Sequence, residues 1–230
     1  MSVFSYIAEI IKHDYPSLPA EVQQEAEKLI KARLTRGELA AYHEEGSPNK
    51  KLEKPLFCQV GGIPGSGKST FCRQSMHNGV LPADAVLVKF DDVMMSLSGY
   101  QQDKQELTEQ LGAEAGLKQA FTNWEPMART IGYELLDRAI KSHRNIVFEN
   151  SGAYLGHVEL LKWLQENKDY HCKFYYMNCP LETAIERVAI RNQRGEMYIG
   201  EQMIKDRHQS LTAGLEKYQA VVAEFVEVLV

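Results

Sequence analysis

No segment of the chain reaches the ~18 uninterrupted apolar residues that a membrane-spanning helix needs. Nor is there a run of five like charges, and the formal net charge of −5 leaves no basic footprint of the kind a general nucleic-acid binder carries. A nucleic-acid partner is therefore disfavoured. Cysteine is scarce: Cys58, Cys72, Cys172 and Cys179 are scattered, without C-x-x-C spacing, and read as buried small hydrophobes in a reducing compartment. His157, His171 and His208 lack metal-ligand spacing and suggest no metal site. Met1 to Tyr15 carries Glu9 and Asp14 within its apolar pattern and no small-residue cleavage site, so it does not read as a secretory leader. A cytoplasmic location is expected. The 230 residues, 44% of them hydrophobic and 25% charged, suffice for one α/β domain and an appendage.

The appendage comes first. Val3, Phe4, Ile7, Ile10 and Ile11 recur at helical steps until Tyr15-Pro16-Ser17-Leu18-Pro19 interrupts them. A second helix follows, with Ser17 as cap, Pro19 in its first turn, and a stripe of Val22, Ala26, Leu29, Arg33 and Leu34 that must bury against something. The polar, breaker-rich stretch Glu44 to Lys51 reads as a linker, dividing an N-terminal helical extension (1–54) from a catalytic domain (55–230). Strand and helix patterns then alternate, which predicts a five-stranded, mostly parallel sheet covered by helices. Strands are expected at 56–61, 85–90, 145–149, 171–178 and 224–230, and helices at 67–78, 103–119, 124–143, 156–168, 180–194 and 200–220. Trp124 and Trp163 fall within helical patterns and read as core or interface residues.

The first loop of this alternation carries the chemistry. Gly62-Ile63-Pro64-Gly65-Ser66-Gly67-Lys68-Ser69 satisfies G-x-x-x-x-G-K-[ST] between an expected strand and an expected helix that opens through Thr70. Gly62, Gly65 and Gly67 let the backbone turn its N–H groups onto phosphate oxygens. Lys68 places a charge on the β/γ oxygens, and the Ser69 hydroxyl is the expected Mg²⁺ ligand. ATP and Mg²⁺ are the implied cofactors.

Two more strands end in acid: one runs into Asp91-Asp92, the other into Glu149-Asn150-Ser151. In a parallel sheet, strand ends gather beside the phosphate loop. Transfer of a phosphoryl group to a hydroxyl needs a carboxylate to accept the proton and acids or hydroxyls to organise the metal. The bland alternative is that Asp91 and Asp92 cap a helix. Late in the chain, Arg187, Arg191 and Arg194 share one helical face and would repel one another unless an anion sat among them. Surface pairing with Glu186 or Glu196 is the competing reading.

With these motifs in this order, residues 55 to 230 resemble the zeta-toxin group of P-loop kinases and, more distantly, polynucleotide kinases. The resemblance implies a P-loop NTPase fold and a small-molecule hydroxyl acceptor, UDP-N-acetylglucosamine in zeta toxins. It also makes Asp91 the acceptor-activating base, although a shift of one residue would choose Asp92; Met94 or Met95 stands where the family carries a basic residue. Glu149 and Ser151 are similar to the family's substrate- and magnesium-ordering strand end, Glu134 to a substrate-binding Glu, and Arg191 to Gly195 to its arginine-bearing lid. Zeta systems add a separate antitoxin whose helix lies near the nucleotide site. Here an antitoxin, or self-inhibition by the N-terminal helices, is the corresponding expectation. Two other readings stay open: a nucleoside or polynucleotide 5′-hydroxyl kinase, and a nucleotide-gated protein-interaction module.

Overall fold

A computed structural model describes residues 7, 9, 16–42, 54–195 and 197–230. In chain order the elements are α1 (Ala20–Tyr42), β1 (Leu56–Gly61), α2 (Lys68–His77), β2 (Val86–Lys89), α3 (Phe90–Ser96), α4 (Ser98–Leu111), α5 (Ala113–Lys141), β3 (Ile146–Asn150), α6 (Gly156–Lys168), β4 (His171–Asn178), α7 (Leu181–Gln193), α8 (Glu201–Val221) and β5 (Glu224–Leu229). The sheet order is β2-β3-β1-β4-β5 and every pairing is parallel. The fold is therefore the expected P-loop α/β architecture. β1, buried on both faces, lies at its centre, so the loop that follows it emerges mid-sheet between the ends of β3 and β4.

The two regions the sequence misjudged have physical causes. The residues after β2 form helix at once: α3 starts at Phe90, directly on the strand, and buries Val93 and Met94. Leu97 separates α3 from α4, the following break falls at Gly112, whose φ of 85° ends α4, and α5 continues through Pro126 instead of beginning near it. Tertiary packing overrides the proline. A side chain at Gly116 would come within 2.5 Å of the Leu107 backbone, and one at Gly99 would meet the Trp124 ring, so α4 and α5 touch nearly backbone to backbone. Trp124 is part of that seam, donating from Nε1 to Asp103 Oδ2 at 2.8 Å.

The first expected helix and the linker lie outside the described residues, apart from Ile7 and Glu9, both helical, of which Ile7 is buried in the core and Glu9 exposed. α1 starts two residues later than a Ser17 cap would place it: the Pro19 carbonyl accepts the first helical bond, from Gln23. Its stripe is Val22, Ala26 and Ile30, all buried in the same apolar cluster as Ile131, Leu135 and Val88. All four cysteines are free and buried. Among the described residues no helix is long and apolar enough to cross a membrane.

Candidate active site

The loop between β1 and α2 has the backbone that anion binding requires. Gly65 and Gly67 take φ of 86° and 85°, and no side chain caps the N-terminus of α2, which leaves its first amides available to an anion. The loop is also held from outside. A Cβ at Gly65 would stand 2.3 Å from the Ala184 carbonyl oxygen of α7, so the loop seats directly on that helix. Lys68 Nζ donates to the carbonyls of Gly62 (2.8 Å) and Ile63 (3.0 Å), holding its charge at the mouth of the loop. Burial lowers the Lys68 pKa below the ordinary lysine value, while Glu149 and Asp91 pull the other way.

A cavity of about 260 Å³ opens over this loop. Pro64, Gly65, Gly67, Lys68, Ser69 and Thr70 line one side, with Arg187 and Arg191 from α7. Asp91, Glu149 and Ser151 line it at the ends of β2 and β3. Gly62 and Ser66 belong to the loop but stay beneath the cavity: a Cβ at Gly62 would strike Ser66 Oγ at 2.5 Å, and Ser66 is fully buried. Ser69 Oγ donates to Glu149 Oε1 at 2.9 Å. Burial raises the Glu149 pKa above the usual carboxylate value, opposed by Lys89 and Lys68. Gln59 Nε2 and the Gly152 amide both donate to Asn150 Oδ1, and Tyr218 Oη donates to the Gly152 carbonyl, so the turn beyond β3 is held by a buried polar network.

The adjacent aspartates part company. Asp91 faces the cavity, whereas Asp92 pairs with Lys89 at 2.8 Å and lines no part of it. Both sit in the first turn of α3, whose N-cap residue is Lys89, so neither serves as the cap. Arg187 Nη1 donates to the Gly65 carbonyl at 3.4 Å, and Arg191 keeps Nε and Nη2 buried with no partner, an arrangement an anion would satisfy. Arg194, expected beside them, is exposed at the C-cap of α7 and outside the cavity. Glu134, expected at the substrate, lies in α5 paired with Arg138, likewise outside.

Sequence reading missed Arg207 of α8 and Lys89 of β2, together with Phe121, Glu125 and Arg129 of α5, all of which line the cavity. Arg129 pairs with Glu125 and sits 5.3 Å over the Phe90 ring. The signal for Glu125 and Arg129 was their four-residue spacing inside the helix expected at 124–143, but that spacing does not say which way the shared face points. Arg207 had no local signal.

The donor set fits a magnesium ion. Ser69 and Glu149 offer hard oxygens, and Glu149 Oε2 is buried without a hydrogen-bond partner. No cluster of three or more His, Cys, Asp or Glu able to hold a metal occurs among the described residues. Mg²⁺ does not need one, because it completes its shell with water and phosphate oxygens.

A Gly-rich loop opening a helix from the central strand of a parallel 2-3-1-4-5 sheet defines a P-loop nucleotide-binding fold. The chain belongs to the AAA domain family, whose profile matches residues 58–216. No curated protein sequence matches it. Among solved structures it is similar to one from the PezAT chromosomal toxin–antitoxin system of Streptococcus pneumoniae. That match has a TM-score of 0.67 at 15% identity, covering 94% of this chain and 81% of that one. It is also similar to a chain of the AvrRxo1-ORF1:AvrRxo1-ORF2 complex with ATP. Here the TM-score is 0.60 at 14% identity over 90% of this chain, which spans 65% of that longer one. At such identities the shared property is the fold.

Proposed function

We propose that the protein is an ATP- and Mg²⁺-dependent kinase that transfers the γ-phosphoryl group to a hydroxyl of a small molecule. The observation that carries this reading is that Asp91, at the end of β2, faces the same cavity as Lys68, Ser69 and Glu149. A nucleotide switch alone has no use for an acceptor base there. In the proposed step the acceptor oxygen bonds to the γ-phosphorus as the bond to the ADP oxygen breaks, and the hydroxyl proton passes to the Asp91 carboxylate. Ser69 and Glu149 would hold Mg²⁺, which neutralises charge between the β- and γ-phosphates. Lys68, Arg187, Arg191 and Arg207 hold the phosphates in line, and Ser151 with the α5 wall holds the acceptor.

The resemblance to zeta toxins makes UDP-N-acetylglucosamine the first acceptor to try, and the likeness to a toxin–antitoxin structure proposes an antitoxin as protein partner. The test is label transfer from γ-labelled ATP to a panel of hydroxylated metabolites headed by that nucleotide sugar. Asp91→Asn should keep ATP affinity and lose transfer by about a hundredfold or more, since an amide can hold the hydroxyl but cannot take its proton. Wild-type transfer by Asp91→Asn, with loss in Asp92→Asn instead, would assign the base to Asp92.

A further inference from the structure

Asp91 sits on a short support. α3 is 7 residues long and is followed by a single residue, Leu97, before α4 begins at Ser98. Leu97 is the N-cap residue of α4 and is fully buried, and its apolar side chain cannot satisfy the amides of the helix start. The missing acceptor comes from elsewhere in the chain. Glu25 of α1 accepts from the Ser98 amide at Oε1 (2.8 Å) and from Ser98 Oγ at Oε2 (3.0 Å). This is a two-pronged, charge-assisted cap supplied by a residue 73 positions away, with its negative charge at the positive end of a helix.

About two turns further along the same helix, Arg33 lies close enough to Asp92 for the carboxylate to oppose the lowering of its pKa by burial. Asp92 in turn pairs with Lys89, the residue from which α3 departs. α1 thus hydrogen-bonds the start of α4, just beyond α3, and brings a charged side chain near the first turn of α3. Among the described residues, none of α1 lines the cavity.

We infer that Glu25 is a positioning residue for phosphoryl transfer: by capping α4 it sets the α3–α4 joint and thereby the angle at which Asp91 meets the acceptor hydroxyl. The inference rests on the proposed kinase reading for its kinetic consequence but not for its structural one. It gives α1 a supporting role in catalysis, opposite in sign to self-inhibition. Misplacing a reacting group by about 1 Å can cost on the order of a hundredfold in rate.

The experiment compares Glu25→Ala, Glu25→Gln and Glu27→Ala in the full chain. Glu27 is the control, since it also ties α1 to the body, through a two-pronged pair with Arg138 of α5, but makes no bond to the α3–α4 joint. Amide hydrogen exchange through residues 90–101 should quicken in Glu25→Ala and stay at the wild-type rate in Glu27→Ala. Glu25→Gln, which keeps an acceptor for the Ser98 amide, should recover most of the protection. With γ-labelled ATP and the metabolite panel, turnover should fall by about tenfold in Glu25→Ala while ATP affinity changes less than twofold, and Glu27→Ala should match wild type. Should Glu25→Ala not fold, Ser98→Ala, which removes one prong, should give a smaller change in the same direction. Unchanged exchange in Glu25→Ala, or equal kinetic losses in the Glu25 and Glu27 variants, would overturn the inference. Absence of transfer in the wild type would instead reject the kinase reading and leave the exchange result to decide the structural claim.

Discussion

Asp91 and Asp92 are neighbours with the same side chain, and only the direction each takes from the first turn of α3 separates a cavity-lining carboxylate from one engaged with Lys89. Local sequence cannot make that distinction, because a helix turns 100° per residue and the phase is set by where the helix starts. His157 is the converse case: it offered no motif, yet it is buried against Phe148 and Tyr154 with Nε2 bonded to Tyr133 Oη at 2.9 Å. Burial pulls its pKa from 6.5 down to about 3. The unfolded chain therefore binds a proton between those values that the fold refuses. The stabilising contribution is present above pH 6.5 and is lost as pH falls toward 3. Between pH 6.5 and 5 this loss amounts to about 1.6 kcal/mol. Denaturant titrations should show wild type losing that much more stability over the interval than His157→Phe. Parallel pH profiles would contradict a neutral buried imidazole.

At the scale of elements, the arginine set shows how far periodicity carries. The helical spacing of Arg187 and Arg191 does place both at the cavity, but Arg194, at the C-cap of α7, is exposed and lines no part of it. The third guanidinium comes from α8, as Arg207. Arg191→Lys and Arg207→Lys should each lower turnover by at least about tenfold with a smaller change in ATP affinity, because a point charge replaces a planar fork that grips the transferring group. Arg194→Lys should behave as wild type; steady-state kinetics on the three variants decides. The contact between the phosphate loop and α7 makes a second prediction. Gly65→Ala forces a side chain into a positive-φ residue and against the Ala184 carbonyl, so it should destabilise the protein by on the order of 1–3 kcal/mol and weaken ATP binding. Thermal melts and nucleotide titration of that variant test both effects.

For the whole molecule, a ligand held by the folded loop and not by the unfolded chain must raise stability by mass action. ATP with Mg²⁺ at about a hundred times its dissociation constant should add about 2.7 kcal/mol, a rise in Tm of roughly 5–10 °C in a chain of this size. Lys68→Ala should abolish the rise, as a calorimetric scan would show. The strand positions, the phosphate loop and the order of its acidic and basic partners were legible in the sequence because each is a local property. Alternating apolar runs make buried strands, and only a Gly-rich turn can present backbone amides to phosphate. The α3–α4–α5 region was not legible. Its boundaries depend on Gly99 and Gly116 admitting a second helix at close range, a contact between distant segments that outweighs the local preference of Pro126. Likewise, the sequence determined that acids and arginines would gather at the strand ends. Tertiary structure alone decided that Asp91, Glu125 and Arg207 face the cavity and Asp92, Glu134 and Arg194 do not, because side-chain direction depends on where each helix begins, ends and packs.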